Sequence, residues 1–198
     1  MDKRSCAAII LAAGSSTRLG KPKQLIQIEG TSLLKRTAIL ALDAGCSPVV
    51  AVLGADAEQL EPELDGLDVR IARNHGWASG MASSLNCGVK MALSLDAAIA
   101  KVLILVCDQP KLDSRILINL LEKHERSGAA ITASSYAGTR GVPAIFSKEV
   151  FPALGALRGD EGARRIIATY QGRVEYVDFP GGADDIDTVE DLWKTGQS

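Results

Sequence analysis

The chain has 198 residues, 46% of them apolar and 23% charged, with a formal net charge of −2. That composition fits one domain with a buried core and argues against disorder. The small net charge gives no reason to expect a nucleic acid or an anionic membrane as partner, and no apolar run approaches the roughly 20 residues needed to cross a bilayer.

Residues 1–5 are charged, and the apolar run after them breaks at Gly14 and leads to Arg18 and Lys21, unlike a secretory signal. A cytoplasmic protein is the simplest expectation. Cys6, Cys46, Cys87 and Cys107 form no C-x-x-C pair, and His75 and His124 lie far apart, so a zinc site is poorly supported. Cys6 and Cys107 sit in apolar runs and read as small core residues.

Short aliphatic runs at 6–12, 49–53, 69–72, 102–106 and 130–133 predict buried strands. Helical periods fall between them. Residues 31–44 begin at Thr31 and Ser32 and end before Gly45, which are start and stop signals. Residues 80–95 and 114–127 follow the same logic. In the second, Leu117, Leu120, Leu121 and His124 share a face, and Asp113 or Ser114 can cap. Such alternation predicts an α/β fold, a single three-layer α/β/α domain with a mostly parallel Rossmann-like sheet. Ligands of such sheets bind where the strands end at their carboxyl side. The segments to read for chemistry are therefore 12–24, 54, 73–84 and 107–110.

The first of these is Leu11-Ala12-Ala13-Gly14-Ser15-Ser16-Thr17-Arg18-Leu19-Gly20-Lys21-Pro22-Lys23. Small residues let backbone approach a ligand closely. The hydroxyls and Arg18, Lys21 and Lys23 favour an anion, and no acidic residue lies between Asp2 and Glu29 to neutralise them. A triphosphate is the natural guest. It is not a Walker loop, because five residues separate Gly14 from Gly20 and Pro22 follows Lys21. It is not a dinucleotide loop either, because G-x-G-x-x-G is missing, which disfavours a redox enzyme.

Asp108 follows the run 102–106, with Pro110 holding the turn extended. Asp113 and Ser114 are better placed to cap the next helix, so Asp108 is left for another task. A carboxylate facing a basic triphosphate loop is useful when a magnesium ion lies between them. Near the C-terminus, Asp187 and Glu190 have the spacing of a helix start.

Leu11-Ala12-Ala13-Gly14, Arg18, Gly20 and Lys23 match the L-A-[AG]-G-x-x-x-R-x-G-x-x-K signature of nucleotidyltransferases with the glycosyltransferase-A type fold. Within them the chain most resembles the molybdenum cofactor cytidylyltransferase family, from Ala7 to about Trp193. Ala13 stands where the guanylyl branch usually has Gly, which favours the cytidylyl branch. The resemblance implies a nucleotide half at about 1–110 and an acceptor half at about 111–198. It implies Arg18, Lys23 and Asp108 as catalytic, with Leu11, Ala12, Ala13, Gly14, Ser15, Asn74, Gly80, Ser83 and Ser84 also on the nucleotide. Asp108 would hold Mg2+. Asp187 would be a second ligand, though capping remains an equal reading. Cys107 replaces the family's usual Gly and adds bulk beside the ligand. The bland role of Ser83 and Ser84 is helix capping, and Trp77 either shields the site or anchors its loop.

The stretches 138–143 and 159–164 match G-x-x-G-x-P and G-D-x-G-A-R patterns of the family. Through them Gly141, Pro143, Gly159, Asp160 and Arg164 would hold the acceptor, although plain surface turns would read similarly. The implied reaction joins CMP from CTP to the phosphate of the molybdenum (molybdopterin) cofactor, giving its cytosine dinucleotide and pyrophosphate, with a molybdenum hydroxylase as recipient. The alternatives are use of GTP, another acceptor such as a sugar phosphate or methylerythritol phosphate, or a non-catalytic cofactor carrier.

Overall fold

The computed structural model describes residues 6–15 and 22–184. The first strand, β1 (Cys6–Ala12), is aliphatic throughout and nearly all buried, as a strand covered on both faces must be. It leads through the anion-type loop to the short pair β2 (Gln27–Ile28) and β3 (Thr31–Ser32). Helix α1 (Leu33–Asp43) follows, capped by Ser32, whose Oγ accepts from Lys35 N at 3.2 Å. Then come β4 (Val49–Leu53), α2 (Ala57–Leu60) and β5 (Val69–Arg73). Helix α3 (Met81–Leu95) returns the chain to β6 (Lys101–Val106). Helix α4 (Ser114–Ser127) is capped by Asp113, which accepts from Ile116 N at 3.0 Å, and ends at Gly128 in the left-handed region.

The remainder is β7 (Ile131–Tyr136), β8 (Thr139–Ser147), α5 (Phe151–Ala156), α6 (Ala163–Thr169) and β9 (Val174–Asp178). The seven strands order as β5-β4-β1-β6-β8-β7-β9. Only β8 runs against the others. Helices cover both faces. Ala7, Ile9 and Ile104 pack against α3, α5 and α6, while Ala8, Ile10 and Leu105 pack against α1 and α4. The fold is thus a mixed, mostly parallel α/β sheet covered on both faces, as the sequence predicts.

The five anticipated strands and three anticipated helices are present, with shifted ends at several. The strand read at 130–133 runs on to Tyr136, and β8 and β9 had no forecast. Successive crossovers run outward from β1 to β4 and β5 on one side, and to β6 and beyond on the other. The order of strands therefore reverses between β1 and β6, the place where such sheets open a crevice. Register pairs Leu11 with Val106, so the loop after Ala12 and the loop holding Asp108 emerge side by side. Among the described residues, no helix is long and apolar enough to cross a membrane.

Candidate nucleotide and acceptor site

A cleft of about 420 Å³ opens at that reversal point. Leu11, Ala12, Ala13, Gly14 and Ser15 form one side, Lys23 and Asp108 lie across it, and Trp77, Gly80 and Ser84 close the rest. The loop backbone is tied down from behind. Buried Gln24 donates its side-chain amide to the carbonyls of Ala12 at 3.0 Å and Gly14 at 3.1 Å. Ala55 N donates to the Ala13 carbonyl at 3.1 Å. Three successive negative carbonyl ends are thereby engaged on the protein side, which removes a source of repulsion toward an anionic guest. Gly54 makes this possible, since a Cβ there would sit 2.5 Å from the Ala13 carbonyl oxygen.

Lys23 Nζ donates to Asp108 Oδ2 at 2.6 Å, with both side chains about a fifth exposed. The other carboxylate oxygen, Oδ1, is buried and has no hydrogen-bond partner among the described residues. An orphaned hard oxygen beside a cationic loop suits a divalent cation. Among the described residues no group of three His, Cys, Asp or Glu side chains forms a metal cage. Of the described residues, Asp108 is the one placed to hold a hard divalent cation at this point. Arg18 and Asp187 lie outside the described residues.

Cys107 lines the cleft, as its position beside the ligand implied, but presents little of itself to it. It is 3% exposed and belongs to the core under α1 and α4, with Thr37 beside it. Burial and then the neighbouring Asp108 charge push its thiol up to about 12, so it stays neutral and is no nucleophile.

Asn74 and Ser83 build the cleft without lining it. The Asn74 amide donates to Ser83 Oγ at 2.8 Å and Ser84 Oγ at 3.0 Å, and its Oδ1 accepts from Gly76 N at 3.0 Å. Ser83 Oγ is also bonded to the carbonyls of Gly76 and Gly80. The whole 74–84 turn is thus knotted around one carboxamide, and only Ser84 of the three reaches the cleft. Neither serine caps α3, because Gly80 occupies the cap position. Gly80 has φ of 106°, and a Cβ on it would lie 2.3 Å from the Gly159 carbonyl. Ala82 N also donates to the Gly159 oxygen at 3.0 Å. Glycine is required there on both counts.

A second cavity of about 390 Å³ shares Leu11, Met81, Val106, Asp108 and Asp160 with the first. Beyond that wall it is lined by Gln109, Tyr136, Gly141, Val142 and the start of α6 with Arg164. Arg164 is aimed by two local acceptors, the Arg140 carbonyl at 3.2 Å and Thr139 Oγ1 at 2.6 Å. Arg140 itself stacks on Tyr176, 4.2 Å from the ring centre. Pro143 and Gly159 stand outside the lining. The Pro143 carbonyl accepts from Ser134 Oγ at 2.8 Å, and Gly159 forms the turn against Gly80. Asp108 therefore stands between two chambers, with the anion-type loop on one side and an arginine on the other.

Gln24 and Gln109 were given no role from the sequence. Nothing in their spacing marks a glutamine as a buried tie; only burial at 2% and 5% does. His124 is equally distant from chemistry. It is buried between Thr132 Oγ1 at 2.9 Å and Ser147 Oγ at 3.1 Å, and burial lowers its pKa to about 4.

Residues 8–174 match the family model described as the MobA-like NTP transferase domain. The chain is 32% identical to the nicotine blue oxidoreductase of Paenarthrobacter nicotinovorans, over 98% of this chain and 97% of that one. It is 30% identical to the purine catabolism protein PucB of Bacillus subtilis (strain 168), over 92% of each. In structure it resembles Rv0371c from Mycobacterium tuberculosis H37Rv, with a TM-score of 0.81, 27% identity and coverage of 96% and 97%. That protein has also been solved with manganese, matched here at a TM-score of 0.77, 25% identity and the same coverage. The family match covers the crevice strands, the Lys23–Asp108 pair and the second cavity alike, and the chain belongs to the MobA-like NTP transferase domain family.

Proposed function

We propose that this protein transfers CMP from CTP to the phosphate of the molybdenum cofactor with the help of magnesium, releasing pyrophosphate. The observation that carries the reading is the Lys23–Asp108 pair at 2.6 Å, with a buried carboxylate oxygen that has no partner among the described residues, at the wall shared by two chambers. The first chamber takes the triphosphate against the loop from Leu11 to Ser15, with Arg18 and Lys23 supplying positive charge. Gly80 and Ser84 flank the base, and Asn74 and Ser83 hold their turn in shape. The second chamber takes the acceptor, with Gly141, Asp160 and Arg164 on its walls and Pro143 and Gly159 setting the backbone behind them.

The acceptor's phosphate is already ionised at neutral pH, so its oxygen can displace pyrophosphate in line at the α-phosphorus without a general base. What this chain's residues must do is position and neutralise. Lys23 is paired with Asp108 before the nucleotide arrives, and the entering phosphates offer its ammonium a second anion. Asp108, with Asp187 as proposed second ligand, would hold a divalent cation, which would supply positive charge to neutralise the phosphates. Arg164, pre-aimed by Thr139 and Arg140, would hold the acceptor's phosphate.

Ala13 in place of Gly supports CTP over GTP. Manganese on the mycobacterial relative supports a divalent cation. A molybdenum hydroxylase would be the recipient of the product, and a setting in the cytoplasm fits both substrates. A second reading is favoured by one observation, the oxidoreductase name of a relative 32% identical along nearly its whole length. The missing G-x-G-x-x-G weighs against it.

The test is pyrophosphate release with magnesium and each of CTP, GTP, ATP and UTP, with and without freshly released molybdenum cofactor. Release that needs CTP and cofactor together, and stops with EDTA, supports the reading. Release with GTP moves the protein to the guanylyl branch. No release, with NADH or NADPH oxidation in its place, overturns it for the second reading.

A further inference from the structure

Gln109 lies next to Asp108 in sequence and is 95% buried, being 5% exposed. Its side-chain amide donates to two carbonyls far away in the chain, Val142 at 3.1 Å and Gly182 at 3.1 Å. Two carbonyls on one side fix which end of the carboxamide faces them, since only the NH2 end can donate. The oxygen end is buried with no partner among the described residues.

Each carbonyl belongs to a different wall. Val142 lines the second cavity, and its oxygen also accepts from Tyr136 at 3.2 Å. Gly182 belongs to the turn Pro180–Ala183, which lies over the loop after Asp108. That overlay has two further supports. A Cβ on Gly181 would fall 2.7 Å from Lys111 Cβ, and Lys111 pairs with Asp184 at 2.6 Å. A Cβ on Gly182 would fall 2.5 Å from the Tyr136 ring. One side chain thus joins three segments far apart in sequence.

We propose that Gln109 is a positioning residue for the acceptor. Its amide latches the wall of the second cavity and the 180–184 turn to the loop carrying Asp108, so the acceptor's place is set relative to that carboxylate. The nucleotide loop has its own tie in Gln24 and does not depend on this one. The proposal rests on the nucleotidyl-transfer reading for its kinetic consequence but not for the latch itself.

The test uses Gln109→Met, similar in length and without hydrogen-bonding hydrogens, in the full chain. Hydrogen exchange should quicken roughly tenfold or more at amides in 139–143 and 180–184, while residues 10–15 keep their rates. In pyrophosphate release, KM for the acceptor should rise roughly tenfold while KM for CTP stays within about twofold. Equal rises in both KM values, or unchanged exchange, overturn the proposal. If the wild type releases no pyrophosphate with any nucleotide, the functional reading fails, and the exchange rates alone decide the latch. Should Gln109→Met not fold, Gln109→Leu, also uncharged and without donors, is read in the same way.

Discussion

The first cleft and the second cavity share Asp108 but are built in opposite ways. The cleft comes from two strands, β1 and β6, that are neighbours in a parallel ladder, and from the loops that leave them side by side. Its polar work is concentrated in one short run after Ala12 and one residue after Cys107. Beyond the wall it shares with the cleft, the second cavity is lined by Gln109, the β7–β8 hairpin and the start of α6, and Gln109 ties the glycine turn after β9 in behind them. Topology dictates the first site, since a crevice must open where strand order reverses. The second depends on what was added around an antiparallel strand. Chemistry kept in the first and choice of substrate kept in the second would let one reaction serve many acceptors.

The sharpest way to break that division is at the shared carboxylate. Lys23→Ala and Asp108→Ala should each lower turnover by roughly 10²–10³ or more. Circular dichroism and the melting temperature should show the fold intact, because both side chains lie at the edge of the cleft. Pyrophosphate release at saturating CTP and acceptor is the measurement. Near-normal turnover in either variant would remove that residue from the mechanism.

A second break goes through the seam between the chambers. Gly80→Ala places a methyl against the Gly159 carbonyl and forces a side chain onto φ of 106°. Strain plus the clash should cost roughly 2–5 kcal/mol. The melting temperature would fall by roughly 5–15 °C for a chain of this size, and KM values for both substrates should worsen together. A variant that melts normally would mean the two loops can part without harm.

The same contrast decides what could be read without a structure. The runs at 6–12 and 49–53 are strands with those bounds, because a parallel strand buried on both faces is a plain aliphatic run. Thr139–Ser147 carries Gly141 and Pro143, signals that normally exclude a central strand. The structure admits them through an irregularity. Pairing shifts between Ala133 opposite Ala144 and Ser134 opposite Gly141, which leaves Val142 and Pro143 without partners in the ladder. Val174–Asp178 is a partly buried edge strand whose Glu175 and Asp178 break the plain aliphatic run that marks the buried strands. In the site, charged residues at strand ends were legible because burial of a lone charge needs a reason. The inward roles of Asn74, Gln24 and Gln109 were not, because an amide reads the same whether it faces a ligand or two carbonyls.

His124 offers a way to sharpen the comparison from outside both chambers. It joins α4 to Thr132 on β7 and Ser147 on β8, the two strands whose hairpin flanks the second cavity. Its folded pKa of about 4 lies below the ordinary value of 6.5. The unfolded chain therefore binds a proton first as pH falls, and stability is lost between about pH 6.5 and 4. Of the total acid destabilisation, roughly 2–3 kcal/mol should belong to this group. Denaturant melts of wild type and His124→Gln across that range isolate it, because the variant should lose less stability on acidification. Equal slopes would show that the imidazole is not held neutral.

The smallest expected effect bears most directly on the division of labour. Arg164 is exposed, and its guanidinium is aimed by Thr139 and Arg140 rather than buried in an ion pair. A solvated charge contact to a phosphate should contribute about 1 kcal/mol. Arg164→Ala should then raise KM for the acceptor by roughly threefold to tenfold, with KM for CTP unmoved. Arg164→Lys should recover only part of this, because a lysine cannot make the paired donation to Thr139 and the Arg140 carbonyl while facing a ligand. A rise in KM for CTP alone would put the triphosphate in the second chamber and reverse the assignment of the two.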